Sequence, residues 1–273
     1  MTPSDPTEVV PTKARYRVTV VIPCFNEAER LDRGALEGFL GARPDVAFLL
    51  VNDGSTDRTL EVLTALEDAW VPRVRVLDLG RNRGKGEAVR AGMLEALATS
   101  TTYAAYWDAD LATPLEAIDA FADTMDRTPE LDLVLGARVA LLGRTIERKA
   151  ARHYLGRVFA TAASLTLGLA VYDTQCGAKM FRAGRGLESL FRMPFGSRWI
   201  FDVEILARYL ETRDVRGLHE LPLKTWRDVG ASKVQPADFV RAMRELLRVY
   251  RRYPHLRRLQ PGGAEGTNPR RLR

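Results

Sequence analysis

Histidine and cysteine are scarce in this 273-residue chain, with three of the first and two of the second. Cys24 and Cys176 lie far apart in unlike contexts, which excludes a disulfide framework and a cysteine-built zinc site. The N-terminal stretch MTPSDPTEVVPTKARYR has no apolar core of the signal-peptide kind. The longest mostly apolar run, VFATAASLTLGLAVY (158–172), falls short of the ~20 residues a bilayer-spanning helix needs. No GxxxxGK[ST] spacing occurs, so a P-loop nucleotidase is excluded. These absences leave a cytoplasmic, reducing setting as the expectation.

What is present is an excess of positive charge and a regular alternation of elements. The formal net charge is +6, which calls for an anionic partner such as a phosphorylated substrate, a membrane surface or nucleic acid. Residues 1–16 hold three prolines among polar residues and read as a flexible tail. RVTVVIP (17–23), AFLLVND (47–53), VRVLDLG (74–80), YAAYWDAD (103–110) and LDLVLGAR (131–138) read as buried strands. Helical patterns fill the intervals at 27–41, 57–70, 84–98 and 114–127, the last opened by Thr113 as cap and Pro114 at its first position. Such alternation predicts an α/β fold with a doubly wound, mainly parallel sheet. Beyond residue 140 the regime changes. Residues 144–172 read as one or two helices, basic and then apolar. DTQCGAKMFRA (173–183) and RWIFDVEIL (198–206) read as a return to the sheet, LHELPLKTW (218–226) as a late strand, and 236–273 as a basic amphipathic helix with a tail.

Ligands of doubly wound sheets sit beyond the carboxyl ends of the strands. That rule directs attention to PCFNE, NDGSTD, RNRGKG, DADLATP and GAR. In WDADLATP, Asp108 and Asp110 place two like charges at the end of a buried strand. A hard divalent cation with oxygen ligands relieves that repulsion, and Mg²⁺ typically takes one or two carboxylates plus substrate phosphates. A solvated capping loop is the plainer alternative. In NDGSTD, Asp53 ends another strand and is a candidate for a nucleoside, beside an Asx-turn into the next helix. In PCFNE, Glu27 or the backbone near Pro23 can act likewise. Lys85 opens a helix behind glycines, where backbone N–H groups can hold a phosphate. Arg227 and Lys233 flank a Gly/Ser turn suited to clamping a diphosphate.

Taken in order, VVIPCFNEAERL, VNDGSTDRTLEVL, NRGKGEAVRAGM, WDADLATP, DTQCGAKMFRA, RWIFDVE and GASK resemble the family-2 nucleotide-sugar glycosyltransferases of the GT-A fold. Within them the likeness is to dolichyl-phosphate β-glucosyltransferases and, more distantly, to dolichyl-phosphate mannose synthases. It runs from about residue 17 to 235, which would make 17–235 the glycosyltransferase domain, a Rossmann-like nucleotide-sugar fold, and 236–273 a helical extension.

The resemblance implies roles by position. Pro23, Phe25, Glu27 and Asp53 fall where the family binds the nucleoside. Asp108, Ala109 and Asp110 fall on the D-x-D motif that holds Mg²⁺ or Mn²⁺ against the diphosphate. Arg138, Arg227 and Lys233 fall on phosphate-contacting positions, Arg148 and Arg152 in the stretch that meets the acceptor phosphate, and Asp202 and Glu204 near the acceptor end. Two departures stand out: Asn52 replaces the first acid of the common DDGS, and Ala112 stands where the mannose synthases often carry Gln. The eukaryotic glucosyltransferases typically have an N-terminal membrane span, and none is expected here.

The expected activity is therefore inverting, metal-dependent transfer of a hexose, glucose from UDP-glucose ahead of mannose from GDP-mannose, to a polyprenyl phosphate. The run RTIERKAARHYLGR (144–157), five Lys/Arg against one acid, favours a phosphate acceptor that needs no base. A sugar hydroxyl would need one, and Asp202 or Glu204 would be the candidate. The alternatives are a soluble sugar or metabolite acceptor, and a regulatory or nucleic-acid-binding scaffold, although no nucleic acid is expected as a partner. In the last helix Phe239, Met243, Leu246, Tyr250 and Tyr253 form a stripe, with Arg241, Arg244, Arg248, Arg251 and Arg252 largely off it. That pattern is expected to dock on an anionic membrane surface, peripherally at its inner face.

Overall fold

The computed structural model describes residues 15–147, 150–229 and 236–258, with the backbone alone at 150–155, 236–238 and 257–258. In chain order the elements are β1 (Tyr16–Cys24), α1 (Arg33–Ala42), β2 (Val46–Asn52), α2 (Thr59–Ala69), β3 (Val74–Asp78), α3 (Lys85–Ala98), β4 (Thr101–Trp107), α4 (Ala117–Arg127), β5 (Leu133–Ala137), β6 (Thr145–Glu147), α5 (Ala150–Leu167), β7 (Ala178–Arg182), α6 (Ser189–Arg192), α7 (Phe201–Thr212), β8 (Leu218–Pro222), β9 (Thr225–Arg227) and α8 (Pro236–Arg252).

Seven strands form one sheet in the order β3-β2-β1-β4-β7-β5-β8. All pairings are parallel except those of β7, which runs antiparallel to both β4 and β5. A second, two-stranded sheet pairs β6 with β9. The strands alternate their side chains between two apolar layers, as period 2 requires. Val18, Val20 and Ile22 of β1 face one layer with α1, α2 and α4. Val21 faces the other, with α3, α5, α7 and α8. Both faces are covered, which is why the strands read as continuous apolar runs.

Three expectations are corrected. RWIFDVEIL is not sheet: from Phe201 it is helix α7, nine successive residues of which are buried, so the apolar–acidic alternation of FDVEI does not separate a buried from an exposed face. The late strand is two strands. Pro222–Leu223–Lys224 turns the chain from β8, beside β5, to β9, beside β6. The apolar stripe of α8 faces protein: Leu246 and Tyr253 are buried, the half-buried Phe239 and Met243 pack against the same layer as Tyr106, and Tyr250 is half-buried. The run 158–172 also turns Phe159, Ala163, Leu167 and Val171 inward. Among the described residues no helix is long and apolar enough to cross a membrane.

Candidate functional site

The parallel strands β1, β2 and β4 end at one edge of the sheet, and β7, running the other way, begins there. DAD, NDGS, PCFNE and TQCG thus meet. The amide of Asp108 donates to the carbonyl of Gly177 at 3.0 Å. A Cβ at Gly177 would stand 2.0 Å from an Asp108 carboxylate oxygen, so only glycine permits this approach.

Lys85, the first residue of α3, reaches across to Asp108, with Nζ 2.5 Å from Oδ1. Burial opposes the charge on Lys85, yet the carboxylates of Asp108, Asp202 and Asp110 together hold its pKa above the ordinary value. Asp110 is pushed up, first by burial and then by the neighbouring charge of Asp108. Its Oδ1 accepts the amide of Ala112 at 3.1 Å. Ala109 is buried between the two acids. Among the described residues no group of three or more His, Cys, Asp or Glu side chains is arranged to hold a metal. Two carboxylates one residue apart at the strand end, with the charge of Asp108 raising the pKa of the buried Asp110, are nevertheless the donor set of a cation completed by substrate phosphate and water.

Asp53 is buried, and its carboxylate accepts the amides of Arg83 at 2.7 Å and Gly84 at 2.9 Å. Burial raises its pKa against the pull of those amides and of Arg198. It therefore shapes the RNRGKG loop. The amide of Asp53 also bonds to the carbonyl of Cys24, which brings Pro23, the exposed Phe25 and Glu27 alongside. The amide of Glu27 bonds to the hydroxyl of Thr59. Asn52 has a reason of its own. Its Nδ2 donates to Asp78 Oδ1 at 2.8 Å and its Oδ1 accepts the amide of Ser55, so a carboxylate at 52 would oppose Asp78.

The two acids of FDVE are not free bases. Asp202 is buried, takes an ion pair from Lys179 Nζ at 2.6 Å and accepts the Tyr106 hydroxyl. Glu204 is 1% exposed and accepts from the amides of Gly196 and Ser197, from Arg208 and from the Tyr253 hydroxyl. Arg138 also departs from a free phosphate contact, because its Nε and one terminal nitrogen pair with Asp173 at 2.6 and 2.8 Å. Arg227 is exposed, and its amide bonds to the carbonyl of Ala112, so β9 lies against the DAD loop. Arg148 and Lys233 lie outside the described residues, as does the side chain of Arg152 on α5. Sequence reasoning missed Lys179, whose only signal is a lysine inside the apolar strand AKMFR, and Arg198, which follows α3 by a hundred residues.

The glycosyl transferase family 2 model matches residues 19–185. The chain belongs to this family. Curated relatives of this glycosyltransferase include the dolichyl-phosphate beta-glucosyltransferase of Drosophila melanogaster, 32% identical over 86% of this chain and 75% of the relative. Another is the enzyme of the same name from Saccharomyces cerevisiae, 29% identical over 84% and 73%. Among solved structures, glucosyl-3-phosphoglycerate synthase from Mycobacterium tuberculosis, in complex with Mn²⁺, UDP-glucose and phosphoglyceric acid, superposes with a TM-score of 0.62. The match covers 87% of this chain and 81% of that one at 20% identity, and it shows the fold, GT-A.

Proposed function

We propose that this glycosyltransferase moves glucose from UDP-glucose to a polyprenyl phosphate with inversion at the anomeric carbon. The observation that carries the reading is the engagement of both acceptor-side acids. Asp202 is ion-paired to Lys179, and Glu204 holds four donors in the protein interior. A sugar hydroxyl would need a base that neither can supply. A phosphate monoester, with a second pKa near ~6, arrives largely as a dianion and needs none. The names of the curated relatives support the same acceptor class and the same sugar.

In this reading an acceptor phosphate oxygen attacks the anomeric carbon of the donor. The bond from that carbon to the diphosphate oxygen breaks, and UDP departs with the electron pair. Lys85 stands beside Asp108, where negative charge gathers on the departing diphosphate, and stabilises it. Asp108 and Asp110 would hold Mg²⁺ or Mn²⁺, which when bound supplies Lewis-acid neutralisation of that diphosphate. Asp53 holds the 81–84 loop at the nucleoside end. In this reading Arg227, on β9 beside the DAD loop, closes over the phosphates, which the bond from its amide to the carbonyl of Ala112 supports.

A lipid-linked acceptor requires the enzyme to meet a membrane, peripherally and, by the same reading, at its inner face. The outward side of α8 exposes Arg241, Arg244, Arg248 and Arg251 with Val240 and Leu247. Each arginine near anionic lipid contributes about 1 kcal/mol.

The test is an organic-extraction assay with Mg²⁺ or Mn²⁺, labelled UDP-glucose and a short polyprenyl phosphate in detergent. Label in the organic phase, lost in Asp110→Ala, supports the reading. Metal-dependent UDP binding without lipid label points to a soluble acceptor or another sugar, and GDP-mannose is the next donor to try. Absence of both leaves a non-catalytic scaffold.

A further inference from the structure

The segment Pro194–Ile200 lies beyond the family-matched region and is held unusually firmly for an exposed loop. Glu204 Oε2 accepts the amides of Gly196 at 2.8 Å and Ser197 at 3.2 Å. Glu245 of α8 accepts the Ser197 hydroxyl and, at 3.3 Å, the amide of Trp199. The Ser197 hydroxyl in turn accepts the amide of Ile200 at 2.8 Å. Both carboxylates are buried, Glu204 at 1% and Glu245 at 7% exposure. Burying two carboxylates is costly unless the geometry they fix is needed.

What they fix is the residue between the anchors. Arg198 is exposed, and among the described residues its guanidinium has no hydrogen-bonded or ion-pair partner. It lies over Gly84, where a Cβ would stand 3.3 Å from its Nε and from one terminal nitrogen. Gly84 has a φ of 93°, a backbone conformation that strains any side chain there. The guanidinium is near enough to Asp53 to favour that carboxylate's charged form. Gly84 directly precedes Lys85, whose Nζ meets Asp108. A planar guanidinium without a partner, held beside the opening amides of α3 and next to the site's lysine, suits a phosphate.

We infer that Arg198 is a phosphate-binding residue of this site and that Glu245, from α8, is its positioning residue. The C-terminal helix would thereby belong to the binding machinery. The inference rests on the glycosyltransferase reading above. The phosphate is either the donor's diphosphate or the acceptor's monoester, and the experiment separates them.

Arg198→Ala and Arg198→Lys are compared with wild type in two arms. The first is the affinity for UDP with Mn²⁺ by calorimetry, with no turnover. The second is the KM for polyprenyl phosphate in the extraction assay. A tenfold or greater loss of UDP affinity in Arg198→Ala assigns the guanidinium to the donor. An unchanged UDP affinity with a tenfold or greater rise in acceptor KM assigns it to the acceptor. Arg198→Lys should recover part of either loss. Glu245→Gln should shift the same constant in the same direction by about three- to tenfold, with kcat nearly unchanged. A purely structural role would instead lower melting temperature and active fraction without moving KM. Changes within twofold in both arms for Arg198→Ala, with Asp110→Ala inactive, overturn the inference and leave the function standing. If wild type neither binds UDP nor transfers label, the function reading fails and the inference falls with it.

Discussion

Lys179 Nζ lies 2.6 Å from Asp202 Oδ1 in the interior, with the lysine wholly buried and the aspartate nearly so. The same ammonium donates to the carbonyl of Cys176 at 2.6 Å. One side chain thus ties the TQCG loop, which abuts Asp108, to the start of α7. Lys179→Met should cost about 3–5 kcal/mol, because it leaves a buried carboxylate without its cation. Adding Asp202→Asn should recover part of that loss. Chemical denaturation of the single and double variants reads both numbers, and a double variant no more stable than Lys179→Met would contradict the pairing.

Asp110 titrates in a direction that can be followed. Burial and then Asp108 raise its pKa above that of an unfolded aspartate. The contribution to stability is therefore fully present below ~3.8 and is lost as pH rises through the raised value. At neutral pH the charge on Asp110 is a strain that a bound divalent cation would offset. Mn²⁺ with UDP should raise the melting temperature at pH 7, and the increment should shrink as the medium is acidified toward pH 4. In Asp110→Asn the increment should largely vanish while the metal-free protein melts at or above wild type. Thermal melts across pH provide the check.

Asn52→Asp would restore the acid common in the family, and it should destabilise this protein. The substitution replaces a donated hydrogen bond to Asp78 with two opposed carboxylates. The expected cost at pH 7 is about 1–3 kcal/mol. It should fade as pH falls and the new acid is protonated. A pH-independent cost would point instead to a steric cause.

Gly177→Ala would drive a methyl group into the Asp108 carboxylate. A displacement of about 1 Å at a reacting site can cost ~100-fold in rate. Turnover should fall by that order, with the circular dichroism spectrum retained. Activity within threefold of wild type would show that the DAD loop can shift without consequence.

Leu246 and Leu247 are neighbours on α8 with opposite surroundings, 3% and 48% exposed. Leu246→Ala should cost about 2–5 kcal/mol through the cavity it leaves. Leu247→Ala should stay within about 0.5 kcal/mol. If the outward face of α8 meets lipid, Leu247→Ala should weaken co-sedimentation with anionic vesicles, and Leu246→Ala should do so only through unfolding.

The strands were legible because both faces of the sheet are covered. Val46 to Val51 is a continuous apolar run and Val18 to Ile22 is broken only by the buried Thr19, so no amphipathic ambiguity arose. Helix α7 was misread for the same reason. Its opening FDVEI alternates apolar and acidic residues as a half-buried strand would, yet Asp202 and Glu204 are buried with their neighbours, so the alternation does not mark a solvent face. The stripe on α8 was seen at the correct spacing but assigned to lipid, because an apolar face does not say what covers it.

The sequence by itself determined the order of strands and helices as far as β5, the loops that could carry polar chemistry, and the pair Asp108 and Asp110. These are local matters of periodicity and of charge placed at a strand end. Only the tertiary structure decided which charges remain available. Asp202, Glu204 and Arg138 look free in a string of letters, yet Lys179, the Gly196–Ser197 amides and Asp173 engage them from 7 to 35 positions away. Arg198 looks incidental, and the fold leaves it open beside Gly84. A side chain's chemistry depends on partners brought close in space, and the chain path that brings them is fixed by packing of the whole core rather than by neighbours in sequence.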